Sequence, residues 1–187
     1  MRINDPNTVH GLINSVCISS YGTLLGSEIF QSFIGGIVAF RSLPRAQFAT
    51  LQSALFPIYF SMQSVLPVLL ALTFPAERTA IGTTPSSLSG VLHPSNRLHV
   101  LTPLAIVFGA GLANSLVIGP QTTKTMRLRK HQETKDGKKS YDAPPHSPEM
   151  QKLNRKFGQL HGASSLVNLF AVIATIWYGF TLGDRLS

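Results

Sequence analysis

Four apolar stretches, Cys17 to Phe40, Leu51 to Phe74, Leu98 to Pro120 and Leu160 to Leu182, dominate this chain of 187 residues. Each is close to the ~20 residues with which an α-helix crosses the ~30 Å hydrocarbon layer of a bilayer. Glu28 is the only formally charged residue inside any of them, whereas a water-soluble fold of this size intersperses charge along every element. The pattern predicts an all-α membrane protein. Its expected form is a four-transmembrane-helix bundle that makes residues 1–187 a single integral membrane domain.

The connections carry the charge. Arg41-Ser-Leu-Pro-Arg45 closes the first span and makes a tight link, its proline stopping the helix. The second span contains Pro57 and Pro67, which permit bends, and the segment from Pro75 to Asn96 reads as an irregular loop. Residues 121–147 are basic, then proline-rich, and are expected to form a flexible loop. Ser147-Pro148-Glu149 has the order of a helix start. Met150, Leu153, Phe157 and Leu160 then line one face, which predicts an amphipathic interfacial helix over 148–159 that leads into the fourth span.

Most of the 16 Lys and Arg residues fall in the loops after spans one and three, which share a side in a four-pass topology. The positive-inside rule places loops 41–46 and 121–159 in the cytosol and both termini in the lumen or outside the cell. An endomembrane or the plasma membrane fits better than the mitochondrial inner membrane, since Asp5 and Glu28 suit a presequence poorly. The N-terminus also lacks the basic start and short apolar core of a cleaved signal peptide, so the first span is expected to remain in the mature protein.

The net charge of +8 raises the question of nucleic acid. The basic run lacks interleaved aromatics and follows directly on a span, so anionic lipid headgroups explain it better and no nucleic-acid partner is expected. Lys124, Arg127, Arg129 and Lys130 are the expected headgroup contacts. Cys17, alone in the chain, reads as a small packing residue.

A carboxylate at the centre of a span costs roughly 2.5 kcal/mol or more, so Glu28 must face other helices. Depth counting puts Gln63 near its level, Gln31 one turn along on the same face, Tyr59 one turn from Gln63, and Asn114 and Asn168 in the adjacent halves of spans three and four. These six form a candidate intramembrane polar cluster. It serves either as a proton-linked or polar-solute site, or as interhelical glue at about 0.6 kcal/mol for each hydrogen bond. Gly22 with Gly26, and Gly109 with Ala113, have the spacing of close helix contacts, within the chain or, at Gly22 and Gly26, between copies in a homo-oligomer.

No catalytic, cofactor or metal site is expected. His161, Ser164 and Ser165 are neighbours on one helix and do not supply a base, a nucleophile and an orienter. The histidines are scattered without paired metal-ligand spacing, and the glycines lie inside apolar spans rather than in a phosphate loop.

Phe40-Arg-Ser-Leu-Pro-Arg45, Phe48, Leu51-Gln52-Ser53 and Leu55-Phe56-Pro57-Ile58-Tyr59-Phe60 together resemble the signature of the transmembrane protein 205-like family of eukaryotic four-span membrane proteins. The resemblance continues through Ala113-Asn114, Pro120, Thr122-Thr123 and Met126 to His161-Gly162, Ser164-Ser165-Leu166 and Asn168-Leu169. It implies a four-helix membrane domain and no established enzymatic activity or cofactor. Its motif positions here are Arg41, Pro44, Gln52, Phe56, Pro57, Tyr59, Asn114, His161, Ser165 and Asn168, which implies a packed polar cap where span one hands over to span two and span four begins. The chain departs from the pattern at Glu28 and Phe30, where animal members resemble a Gln followed two residues later by Trp. The expected function is a non-enzymatic scaffold or membrane-trafficking component with a lipid-contacting basic loop. The alternative is a small transporter or transport accessory centred on Glu28.

Overall fold

The computed structural model describes residues 6–76, 78, 79, 82, 83 and 85–186. Asp5, on which the presequence argument draws, lies outside them. Four helices among the described residues are long and apolar enough to cross a membrane. Helix one runs over 6–42 with a wide π-helical turn at Phe30–Gly35, helix two is Arg45–Leu72, and helix three is Pro94–Asp136 with π turns at Arg97–Leu101 and Asn114–Ile118. Helix four is Pro148–Leu186. The strand pairing described is a two-residue one, Arg78–Thr79 against Gly82–Thr83.

Pro44, extended at ψ 145°, ends helix one and starts helix two, where the Phe48 N–H donates to the Pro44 carbonyl at 2.9 Å. Pro57 and Pro67 lie inside helix two without ending it. Hydroxyls there satisfy themselves on their own helix, as hydrocarbon demands: Thr50 donates to Ala46 O, Ser61 to Pro57 O and Ser64 to Phe60 O, at 3.0, 2.8 and 2.9 Å. Leu24, Leu70, Val107 and Tyr178 are buried between the helices, while Phe30, Ile58, Leu116 and Phe180 point outward and exposed. An apolar outer surface is what a lipid solvent allows.

Helix three packs against both helix two and helix four. Gly111 makes the first of these contacts close: a Cβ there would lie 2.8 Å from Ser64 N and 2.9 Å from the Gln63 carbonyl carbon. The small residues singled out by spacing do something else. Gly22, Gly26 and Gly109 have open space where a side chain would go, so no helix among the described residues packs onto them.

Two expectations about the basic end are corrected. Residues 121–136 are not a flexible loop but the continuation of helix three, which ends where Gly137 takes the left-handed conformation (φ 62°). The composition suggested disorder, yet the stretch has no proline and is rich in good helix formers. Residues 148–159 are not a separate interfacial helix either, since helix four runs unbroken through Leu160. The apolar stripe of this segment packs on helix three instead of lipid. Met150 is fully buried there, as is Thr125 opposite.

Arg129 ties this hairpin together. Its Nε donates to Asn154 Oδ1 at 2.8 Å and its guanidinium lies 4.4 Å from the Phe157 ring centroid. Asn154 in turn donates to Ser140 O at 3.1 Å. Losing one hydrogen bond and one cation–π contact, Arg129→Ala is expected to weaken the hairpin by about 1–2 kcal/mol. Limited proteolysis between residues 136 and 148 should accelerate in the variant while the bundle stays intact. An unchanged cleavage rate would mean that Arg129 does not hold the hairpin.

At the other end, the segment read as an irregular loop contains a short helix, Ser87–Leu92, folded over the bundle. Ser87 Oγ donates to Leu72 O at 2.6 Å, Asn96 Nδ2 to Gly90 O at 2.8 Å, and Arg185 Nη2 to Asn96 Oδ1 at 2.9 Å. Arg185 also lies over the Phe74 ring, 4.7 Å from its centroid.

Candidate functional site

Glu28 sits on the inner face of helix one, fully buried, and its Oε1 accepts from Gln63 Nε2 at 2.9 Å. The same Gln63 amide donates to Asn168 Oδ1 of helix four at 3.1 Å and lies 3.4 Å from the Tyr59 hydroxyl one turn away. Tyr59 donates to Asn168 Oδ1 at 2.5 Å, and Asn168 Nδ2 donates to Ser32 Oγ at 2.7 Å. Side chains from helices one, two and four thus form one network. Ser32 belongs to the π turn of helix one, a wide turn often found at functional positions.

Two of the six residues expected in this layer lie elsewhere. Gln31 donates to Gln52 Oε1 at 3.0 Å, linking helices one and two near their shared connection. Asn114, which opens the second π turn of helix three, accepts from Ser164 Oγ at 2.8 Å. The single layer of the sequence reading is therefore one network and two satellite pairs. Ser32 and Thr175 were missed, though Ser32 follows Glu28 by four residues and Thr175 follows Asn168 by seven, both on the same helical face.

Three buried oxygens around Glu28 have no hydrogen-bond partner: Glu28 Oε2, Gln63 Oε1 and Thr175 Oγ1. The Thr175 hydroxyl comes within interaction range of the Glu28 carboxyl but not into hydrogen-bond geometry. Surface grooves along helix two, lined by residues such as Pro57, Ile58, Ser61 and Met62, contain none of these groups. Among the described residues no cluster of His, Cys, Asp and Glu could hold a metal ion.

The polar cap implied by the family motif is not assembled. Gln52 is buried against Gln31, Phe56 stacks on Phe60 at 5.5 Å, and Pro44 caps helix two. Arg41, Pro57, His161 and Ser165 are exposed, with His161 stacked 6.0 Å from Phe157 on its own helix. Of the expected headgroup contacts, Lys124, Arg127 and Lys130 are exposed, whereas Arg129 is turned into the hairpin. Cys17 is buried in the core.

Long apolar helices around a buried polar network define a multi-pass membrane protein. The chain belongs to the family of the domain of unknown function DUF4149, whose model matches residues 19–131. It is 32% identical over 167 residues to xanthocillin biosynthesis cluster protein D of Aspergillus fumigatus, covering 89% of this chain and 86% of that relative. No solved structure matches it.

Proposed function

We propose that this protein is a non-enzymatic scaffold or trafficking component of an endomembrane or the plasma membrane, held and oriented by a collar of basic residues on anionic headgroups. Its support is the way charge is sorted by height. Tyr59 lies mid-way along helix two and meets Asn168. Ten residues of helix at 1.5 Å each reach the edge of a ~30 Å hydrocarbon layer, which falls near Gly158 on helix four. Counted from the Asn114 to Ser164 bond, the same edge falls near Pro120 on helix three.

Lys124, Arg127, Lys152, Arg155 and Lys156 stand within about 10 Å of that edge, with no acid among them. The acids Glu133, Asp136, Asp142 and Glu149 are gathered farther out, where they offset Lys135, Lys138 and Lys139. Positive charge is thus concentrated within about a Debye length of the headgroups, where each Lys or Arg contributes ~1 kcal/mol against an anionic surface. On this reading the collar is cytosolic, and the chain keeps the four-span form that its resemblance to transmembrane protein 205-like proteins implies. The A. fumigatus relative is named for a biosynthesis cluster, which accords with an accessory membrane component.

Spin-labelled phosphatidylserine and phosphatidylcholine, compared around the reconstituted protein, test this. A preference for the anionic lipid at low salt, weakened by high salt and by joint replacement of Lys124, Arg127, Arg155 and Lys156 with Gln, is the expected result. Equal association of both lipids at low salt would remove the lipid role.

A further inference from the structure

The main donors of the Glu28 network can be followed to their acceptors. Gln63 Nε2 commits its two to Glu28 Oε1 and Asn168 Oδ1, Tyr59 gives its one to Asn168 Oδ1, and Asn168 Nδ2 donates to Ser32. Left over are Glu28 Oε2, Gln63 Oε1 and Thr175 Oγ1, on side chains that are 0%, 0% and 1% exposed. An unpaired carboxylate oxygen in apolar surroundings is among the most unfavourable arrangements a protein can hold. Of the three groups, Thr175 alone brings a hydrogen of its own. The set therefore has surplus lone pairs and a deficit of positive charge.

No side chain among the described residues makes up that deficit. The titratable side chains facing Glu28 are Tyr21 of its own helix and Tyr59 of helix two. Neither is a cation, and the Tyr59 hydrogen is already engaged. Helix four contributes Asn168 and Thr175, which are uncharged. No Lys, Arg or His among the described residues bonds to Glu28.

We propose that Glu28, Gln63 and Thr175 form a buried site for a single positive charge, brought either by a proton on Glu28 Oε2 or by an alkali cation on the three oxygens. The proton closes the hydrogen count. Bound to Oε2 it makes a donor toward Thr175 Oγ1 and frees that hydroxyl's own hydrogen for another buried acceptor, of which Gln63 Oε1 is one. A sodium or potassium ion meets the same oxygens, whose hard carboxylate, amide and hydroxyl character suits such ions.

The full-length protein and its Glu28→Gln variant, reconstituted in neutral-lipid nanodiscs, are compared by infrared spectroscopy and thermal unfolding in sodium, potassium and choline chloride. A carboxylic-acid C=O stretch that is absent from E28Q and identical in the three salts identifies the proton. A carboxylate stretch, with a melting temperature that rises saturably with sodium or potassium but not choline and loses that rise in E28Q, identifies the alkali ion. A carboxylate stretch with the same melting temperature in all three salts overturns the proposal. Should E28Q fail to accumulate, Glu28→Asp gives the same comparison through its displaced carbonyl band.

Discussion

Gly111→Ala is expected to destabilise the bundle by about 2–3 kcal/mol, the upper part of the usual range for overpacking a well-filled contact. The added methyl carbon would stand 2.5 Å from Ser64 Oγ, 2.8 Å from Ser64 N and 2.9 Å from the Gln63 carbonyl carbon. A hydroxyl can rotate aside, but two of these neighbours are backbone, so helices two and three must separate. Their separation also displaces Gln63, which holds Glu28. Gly109→Ala is the control. It lies two residues away, meets open space, and should leave stability unchanged or slightly improved, because alanine favours the helix over glycine. Equilibrium unfolding in detergent with increasing dodecyl sulfate measures both. Equal effects of the two substitutions would show that the close approach at Gly111 is not what holds these helices in place.

Gln63→Leu should cost a similar amount for a different reason. Interhelical hydrogen bonds average about 0.6 kcal/mol, so the two donated by Gln63 explain little more than 1 kcal/mol. The larger part comes from leaving the fully buried Glu28 without its donor, where an unsatisfied buried group costs about 1–3 kcal/mol. The double variant Glu28→Leu with Gln63→Leu removes both the donor and the group that needs it. It should therefore be destabilised by clearly less than the two single effects added together. Simple additivity in the same unfolding assay would mean that Gln63 and Glu28 do not act as a pair.

The helices were legible because hydrocarbon imposes a single rule on every residue of a span, and a run of apolar residues states it without reference to any partner. Depth counting likewise gathered Glu28, Tyr59, Gln63 and Asn168 into one candidate polar cluster, and hydrogen bonds connect all four. Counting gives height but not azimuth, and Asn114 turns instead to Ser164. Gly109 and Gly111 show the same limit: spacing identifies a small residue, while only the neighbouring backbone decides which one is pressed. Ser32 and Thr175 stayed hidden because hydroxyls in membrane helices so often bond their own carbonyls that their presence carries little information. The hairpin was misread for a related reason. The charges and prolines of 121–147 looked like a segment unable to bury anything and the stripe of 148–159 like a face for lipid, yet Met150 and Phe157 find their cover on helix three.

Helices three and four meet at the Asn114 to Ser164 bond and from there continue to Asp136 and Pro148. Tied to each other through Arg129 and Asn154, the two form one stiff arm beyond that bond. From Asn114 to Asp136 the arm is about 33 Å long, so a change of about 10° in its inclination carries the far end through roughly 6 Å. A small tilt at the level of Asn114 would thereby become a displacement several times larger at the tip of the hairpin.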